Sequence, residues 1–482
     1  MLNILMKTLG LVLLTFGVSL IAPMGIAITI SDGYTDVYAV LLGIALITCV
    51  PILLITSKSG RQPQIRDGFL IVTLTWIGLS AIGALPFMLV GNLDLASAIF
   101  ETASGYTTTG STAITDLDLI PQSLLFYRQE IQWIGGIGVI VLAVALIPIL
   151  GIGGMQVLNA ETTGPVKGDK LQPRLEHTLR AIWRIYLGMT VACALGYWLA
   201  GMSLFDAISH SFTTVSTGGY STYDDSLAYF NSWVIELVAS VFMILGSLSF
   251  MVHGRALAQG SARPYFNSVE TRAFLGIILV ASVFVALILH GNTENSWITS
   301  ARLAFFEVIS VISTTGFAIS DFSVWPLMLP PLLIFIGFIG GCTGSTAGGV
   351  KVLRLVIMAR QTGIEIGRLI HPHLIRSLKI DNDVISGDIV RSVWAFFGVY
   401  VFVFVAMMIA LMGFGLDQVT AFGAIATTIN NVGPGLGEVA IHFGTMGAGV
   451  KLICALACII GRLEVFTVFV LCTPAYWNEQ LR

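Results

Sequence analysis

Charge is what this sequence has least of. Asp, Glu, Lys and Arg make up 11% of its 482 residues, against about 25% in a soluble domain. That shortage excludes an ordinary soluble protein. The net charge of −3 offers no basic surface for nucleic acid. Cysteine is scarce too: Cys49, Cys193, Cys342, Cys454, Cys458 and Cys472 lie scattered in apolar segments, as buried free thiols rather than a disulfide framework. Cys454 and Cys458 stand one helical turn apart without polar companions, so no metal site is expected there. Also missing are HExxH, GxSxG and any Asp/His pair clustered in an apolar segment, so no enzyme is expected. Nor do runs such as residues 139–150 alternate as outer-membrane barrel strands do.

Apolar residues fill the space that charge leaves, at 56%. They gather in runs of roughly 20, enough for a helix to cross a ~30 Å hydrocarbon layer. Helices are the default spanning structure, so an all-α, multi-pass membrane protein is expected. The first run, residues 9–30, is too long for a signal peptide and has no small-residue cleavage site, so it reads as a first span.

Within this chain one pattern occurs four times, without a gap and about 100 residues apart. The copies are AIFETASGYTTTG ending at Gly110, AISHSFTTVSTGG at Gly219, AFFEVISVISTTG at Gly316 and AFGAIATTINNVG at Gly433. A long apolar run precedes each (residues 69–90, 182–200, 274–289 and 393–412), and another follows (125–150, 235–252, 327–357 and 450–470). A short segment, containing Asp94, Asp206 or Asp417 in three of the units, leads into each copy. The unit is therefore span, half-helix, loop, span. The expected division is two leading spans in residues 1–62 and repeats at 63–165, 166–262, 263–380 and 381–482.

Basic residues orient the units. Lys7, Lys58, Arg61, Arg66, Lys167, Lys170, Arg174, Arg180, Arg184, Arg255, Arg263, Arg272, Lys351, Arg354, Arg360, Arg368, Arg376, Lys379, Arg391 and Arg482 are 20 of the 24, and all fall on one side of the expected spans. By the positive-inside rule that side is cytoplasmic, with both termini, and the repeats run parallel.

Non-helical backbone at membrane depth is tolerated only where protein or water covers it. Four such loops around an axis make a pore. The half-helix C-termini, about −0.5 charge each, favour a cation. Loop carbonyls replace its hydration shell, and glycine permits the necessary backbone twist. The expected ion-binding residues are Thr107, Thr108, Thr109 and Gly110; Ser216, Thr217, Gly218 and Gly219; Ser313, Thr314, Thr315 and Gly316; and Asn430, Asn431, Val432 and Gly433. Asp116, Asp224, Asp225, Asp321 and Glu438 follow, either as a negative mouth or as ordinary solvated acids. The alternative use of glycine, close helix packing, does not account for four ungapped matches in one setting.

TTTGST, VSTGGYST, ISTTGFA and NNVGPGLG resemble the filter loops of Trk/Ktr/HKT potassium uptake proteins. FYRQEIQWIGGIGVIVLAVALIPILGIGGMQ, FIGGCTGSTAGGVKVLR and GRLEVFTVFVLCTP resemble the pore subunit of bacterial Trk systems, and the likeness covers essentially the whole chain. It implies potassium uptake across a bacterial inner membrane by a homodimer with one pore per protomer. It also implies a cytosolic tetrameric ring of Rossmann-type regulatory subunits that bind the nucleotide (ATP/ADP or NAD). No cofactor is expected in this chain: Gly151 with Gly153, and Gly433 to Gly437, lack the strand–loop–helix setting of a dinucleotide motif. Each unit has a single common glycine rather than the pair of a TVGYG filter, so potassium preference comes from the resemblance and cation passage from the physics.

Two features lie below the loops. GFIGGCTGSTAGG, residues 337–349, interrupts the last span of unit three. It is read as a gate, with Gly340, Gly341, Gly344, Ser345, Thr346, Gly348 and Gly349, or alternatively as a kinked, closely packed helix. The second feature is Arg462. A central arginine costs about 2.5–3.5 kcal/mol on insertion scales, so it must face water or a partner such as Glu464 or a carbonyl. With the resemblance it reads as part of the gate, and otherwise as a structural ion pair. Lys451 marks the outer end of the last span, and Arg128, Glu130 and Arg302 read as outer-interface residues. His210 reads as packing. A coupled symporter with H+ or Na+ is the rival function, with Glu101 and Glu307 its only plausible carboxylates.

Overall fold

A computed structural model describes residues 2–57, 65–145, 171–381 and 383–478. Gly151, Gly153, Lys58, Arg61, Lys167, Lys170 and Arg482 lie outside the described residues. Six helices among the described residues are long and apolar enough to span a membrane: Asn3–Ile30, Thr35–Thr56, Asp67–Leu89, His177–Leu199, Val269–Asn292 and Gly387–Gly413. Their outward faces carry exposed Val40, Ile47, Leu279, Val280 and Phe402. So much apolar surface is stable against hydrocarbon, not water.

Each of the last four spans leads into a short helix: Leu95–Tyr106, Leu204–Val215, Trp297–Ile312 and Gln418–Asn430. At 1.5 Å per residue, even 16 residues reach only about 24 Å. Side-chain caps set their starts. Asp94 accepts from the amides of Ala96 and Ser97, and Asp417 from those of Val419 and Thr420. Ser203 and Ser296 take the same place in units two and three. The acid of unit two, Asp206, lies inside its helix and is bonded to Ser203.

Their ends repeat as well. Thr108, Thr217, Thr314 and Asn431 have φ of 53°, 53°, 56° and 56°, and the glycines two residues on have 85°, 74°, 81° and 98°. A 3-10 turn follows each loop: Leu117–Leu119, Ser226–Phe230, Phe322–Val324 and Gly437–Val439.

Of the second helices, those of units two and four depart from the expected continuous spans. Gln122–Ala145 runs unbroken. In unit two, Trp233–Ser247 meets Phe250–Gln259 at 98°, and in unit four Ala448–Arg462 meets Phe466–Cys472 at 109°. In unit three the helix stops at Ile339 and resumes at Val352. No proline sits at either bend. The turn after Arg462 is made by Glu464 and Val465, both at positive φ.

The two leading spans lie against unit one, where Val12, Phe16 and Tyr38 share a core with Trp76, Tyr106 and Tyr127. A hairpin pairing Lys379–Ile380 with Asp383–Val384 joins a smaller core with Ile357, Ile364 and Ile389.

Candidate ion pathway

The four loops meet. A Cβ on Gly110 would collide with the Gly218 carbonyl, one on Gly219 with that of Thr315, and one on Gly316 with that of Val432; one on Gly433 would lie 3.1 Å from the Thr109 oxygen. Each glycine thus abuts the residue preceding the glycine of the next unit, and the fourth returns to the first. All four line one cavity of about 250 Å³, together with Asp224, Asp225 and Asp321. Asp116 and Glu438 do not line it.

The loop amides fold back onto their own helices: Thr109 N–H donates to Ser104 O, Gly218 to Thr213, Thr315 to Ser310 and Val432 to Thr427, at 2.8–3.0 Å. The carbonyls are left over. Among the described residues, no hydrogen bond ends on the carbonyl oxygens of Thr108, Thr109, Thr217, Thr314, Thr315, Asn431 or Val432. Buried carbonyls without partners are uncommon, and these are gathered at four helix C-termini, where the backbone dipoles are negative.

The loop hydroxyls mostly serve the packing behind. Thr107 Oγ1 lies 2.7 Å from Thr109 Oγ1, and Ser313 Oγ equally close to Thr315 Oγ1. Thr314 Oγ1 accepts from Gly348 N, and Ser216 Oγ turns back on its own helix, 3.4 Å from Thr213 O. Asn430 Oδ1 accepts from Tyr400, and Asn431 Nδ2 donates to Thr109 Oγ1 and Cys458 O.

Residues 340–351 run without a helix directly against the loop ends. This is a looped segment that turns back on itself rather than a kinked helix. Thr346 Oγ1 lies 3.1 Å from Val215 O and 3.2 Å from Thr217 Oγ1, and Gly349 N donates to Asn430 O. Gly340 and Gly349 pack backbone to backbone, and both have positive φ, as does Gly344. Gly341 packs on Ala347 and Ser247, Gly344 O accepts from Phe250 N, and Ser345 Oγ donates to Cys342 O. Glu270 accepts from Thr343 N and Leu353 N, so one carboxylate spans the segment. Arg462 donates to Thr346 O at 2.7 Å, while Glu464 pairs with Arg354. The carbonyl, not Glu464, is the partner of Arg462.

Some of the remaining residues are more deeply buried than expected, and others stand as expected. Arg128 is buried rather than at an interface, and its partner Glu101 is fully buried. Glu307 is buried as well and accepts from the amides of Ile319 and Ser320. His210 occupies the corresponding position of unit two and bonds Ser221 through Nε2. Arg302 pairs with Glu236. Lys451 is buried beside Ser97 and the Gly444 carbonyl. Near the loop cavity, partial burial raises the Asp224 carboxyl above its ordinary range against the opposing Leu117 amide, and at the start of the first short helix the Ser97 hydroxyl lowers that of Asp94. Gln132 was missed in the sequence: it donates to Gly218 O, and its polar neighbours Arg128, Gln129 and Glu130 at the start of an apolar helix were the signal that could have found it.

A family model described as TrkH, cation transport protein, matches residues 38–479. Proteins named Trk system potassium uptake protein TrkH are 43% identical in Vibrio parahaemolyticus, over 98% of this chain and 99% of that one. In Escherichia coli strain K12 the identity is 42%, with the same coverage. The crystal structure of the potassium transporter TrkH from Vibrio parahaemolyticus superposes with a TM-score of 0.90 at 40% identity, over 99% of this chain and 100% of that one.

Proposed function

Because the chain belongs to the TrkH family of cation transport proteins, we propose that it takes up potassium through a pore lined by its four loops. The relatives named for potassium uptake support the choice of ion. Ahead of the pore stand two leading spans (1–62), and the units occupy residues 63–165, 166–262, 263–380 and 381–482 around it. Residues 107–110, 216–219, 313–316 and 430–433 form the selectivity filter. The observation that carries this reading is the cyclic approach of each glycine to the next loop's carbonyl, with unpartnered carbonyls alongside.

Below the filter, residues 340–349 form the gate, held closed through Arg462 and Thr346. The charge of Arg462 opposes a cation until the segment withdraws. In the bacterial inner membrane the protein works as a homodimer with both termini cytoplasmic, and a tetrameric nucleotide-binding ring on that side moves the gate. The nucleotide sits on that partner; this chain carries none. The carboxylates that proton coupling would recruit, Glu101 and Glu307, are engaged by Arg128 and by loop amides. That favours a channel-like pore over a symporter.

The test is rubidium uptake into liposomes with sodium and lithium as competitors. Saturable rubidium flux that excess potassium suppresses more strongly than sodium or lithium is expected. Absence of cation flux with and without the regulatory ring would refute the reading.

A further inference from the structure

Loop contacts differ from one neighbouring pair to the next. Units four and one meet through Asn431 on Thr109 Oγ1 and Ser111 Oγ on the Gly433 carbonyl. Units two and three meet through Ser226 Oγ on the Ala318 amide and Ala228 N–H on the Ala318 carbonyl. Units three and four meet through the segment below, whose Gly348 and Gly349 amides reach Thr314 Oγ1 and Asn430 O. Units one and two meet through a buried ion pair of unit one that also reaches the second loop.

That pair is Arg128 and Glu101. Arg128 Nε donates to Glu101 Oε1 at 2.6 Å, its NH1 donates to Ser221 O at 2.9 Å, and its guanidinium carbon lies 3.5 Å from the centre of the Tyr220 ring. Glu101 also accepts from Ala113 N at 2.7 Å and Thr112 Oγ1 at 3.0 Å. Tyr220 Oη lies 2.9 Å from Glu101 O and 3.2 Å from Ser111 O. One turn along the same helix, Gln132 Nε2 donates to Gly218 O at 2.8 Å while its Oε1 accepts from Tyr220 N. The Gly218 carbonyl is the one that faces Gly110. The helix Gln122–Ala145 therefore holds residues 218–221 of the second loop directly and residues 112–113 of the first through Glu101.

Position within the repeat makes the arrangement specific. Nine residues before the common glycine stand Glu101, His210, Glu307 and Ala424. The first three reach the chain two or three residues beyond their glycine, and alanine has no polar group to do so. Only Glu101 has a cationic partner. Arginine suits that place because its planar fork serves a carboxylate and a carbonyl at once, which a lysine ammonium does not reproduce.

We propose that Arg128, anchored by Glu101, is a specificity-determining positioning residue. It fixes the separation of the first and second loops and so the discrimination of potassium from sodium. This rests on the potassium-pore reading above. A carbonyl cage distinguishes the two ions by its size and by the strength and number of its dipoles. A clamp that holds two of four loops at fixed spacing keeps the cage from shrinking onto the smaller ion. Arg128 itself need not touch the ion.

The experiment is rubidium uptake into liposomes, with the sodium concentration that halves it, for the full chain and for Arg128→Lys, Glu101→Gln and Tyr220→Phe. Breaking a buried pair risks misfolding. Tyr220→Phe is the mild variant, since it keeps the ring under Arg128 and removes only the hydroxyl. Rubidium uptake should persist in Tyr220→Phe and Arg128→Lys while sodium competes roughly three- to tenfold better, the scale of one ordinary hydrogen bond. If Arg128→Lys or Glu101→Gln fails to elute as a single species, the Tyr220→Phe ratio decides alone. An unchanged sodium-to-rubidium ratio in the folded variants overturns the proposal, as does a parallel loss of both ions. Absence of rubidium uptake by the unaltered chain would instead overturn the pore reading.

Discussion

At Gly316, φ is +81° and an added Cβ would collide with Val432 O and lie 2.7 Å from Pro434 Cδ. A serine there faces both a left-handed backbone and a neighbouring loop that has no room to yield. Gly316→Ser should therefore abolish rubidium uptake or erase the preference for rubidium over sodium, as measured by competition in liposomes. Gly276, in the middle of a lipid-facing span, has open space around the same atom. Gly276→Ala should leave transport unchanged and stabilise its helix by up to about 1 kcal/mol. Chemically identical residues thus differ wholly in consequence. The repeat separated the four loop glycines from the other 47 in the sequence, because only they recur at one offset. Arg128, Glu101 and Lys451 were visible as residues but not as buried groups. Their partners lie 27, 93 and 354 positions away, and no local pattern encodes such distances.

Helices were legible where their signals are local. The half-helices announced themselves by length, by an acid leading into three of them and by the common glycine beyond their ends. Their C-terminal carbonyls needed some companion, which made a shared axis an inference from backbone chemistry. The bends of 98° and 109° were not legible, for hydropathy runs on through both and no proline marks either. The glycine-rich segment of unit three was recognisable as a break, yet its contacts with Val215, Thr314 and Asn430 come from its own unit and two others folding around it. Arg462 is the lever at this scale. Its hydrogen bond to Thr346 O, a contact to a charged donor, is worth about 1.5–3 kcal/mol. Arg462→Ala should raise basal rubidium flux without the regulatory partner by roughly tenfold or more. Basal flux identical to that of the unaltered chain would return Arg462 to a purely structural role.

For the molecule as a whole, the proposed orientation has a direct consequence. Leu119, beyond the first loop, and Ile375, beyond the last helix of unit three, are both strongly exposed. In a Cys472→Ser background, where the remaining native thiols are buried, a cysteine at 119 should react with a membrane-impermeant maleimide on intact cells. A cysteine at 375 should react only after the membrane is opened. The reverse pattern would invert the topology and place the acids around the cavity on the cytoplasmic side.

By itself the sequence determined the solvent, the number of repeated units and the positions at which the backbone must twist. Low charge, long apolar runs and a recurring glycine are properties of residues and of short windows. Only the tertiary structure decided which loop meets which, that Arg128 and Glu101 close the gap between two of them, and that Arg462 finds a carbonyl rather than Glu464. Those pairings bridge up to hundreds of residues, and they form because a polar group sealed inside a membrane protein bonds whatever donor or acceptor the fold brings within reach.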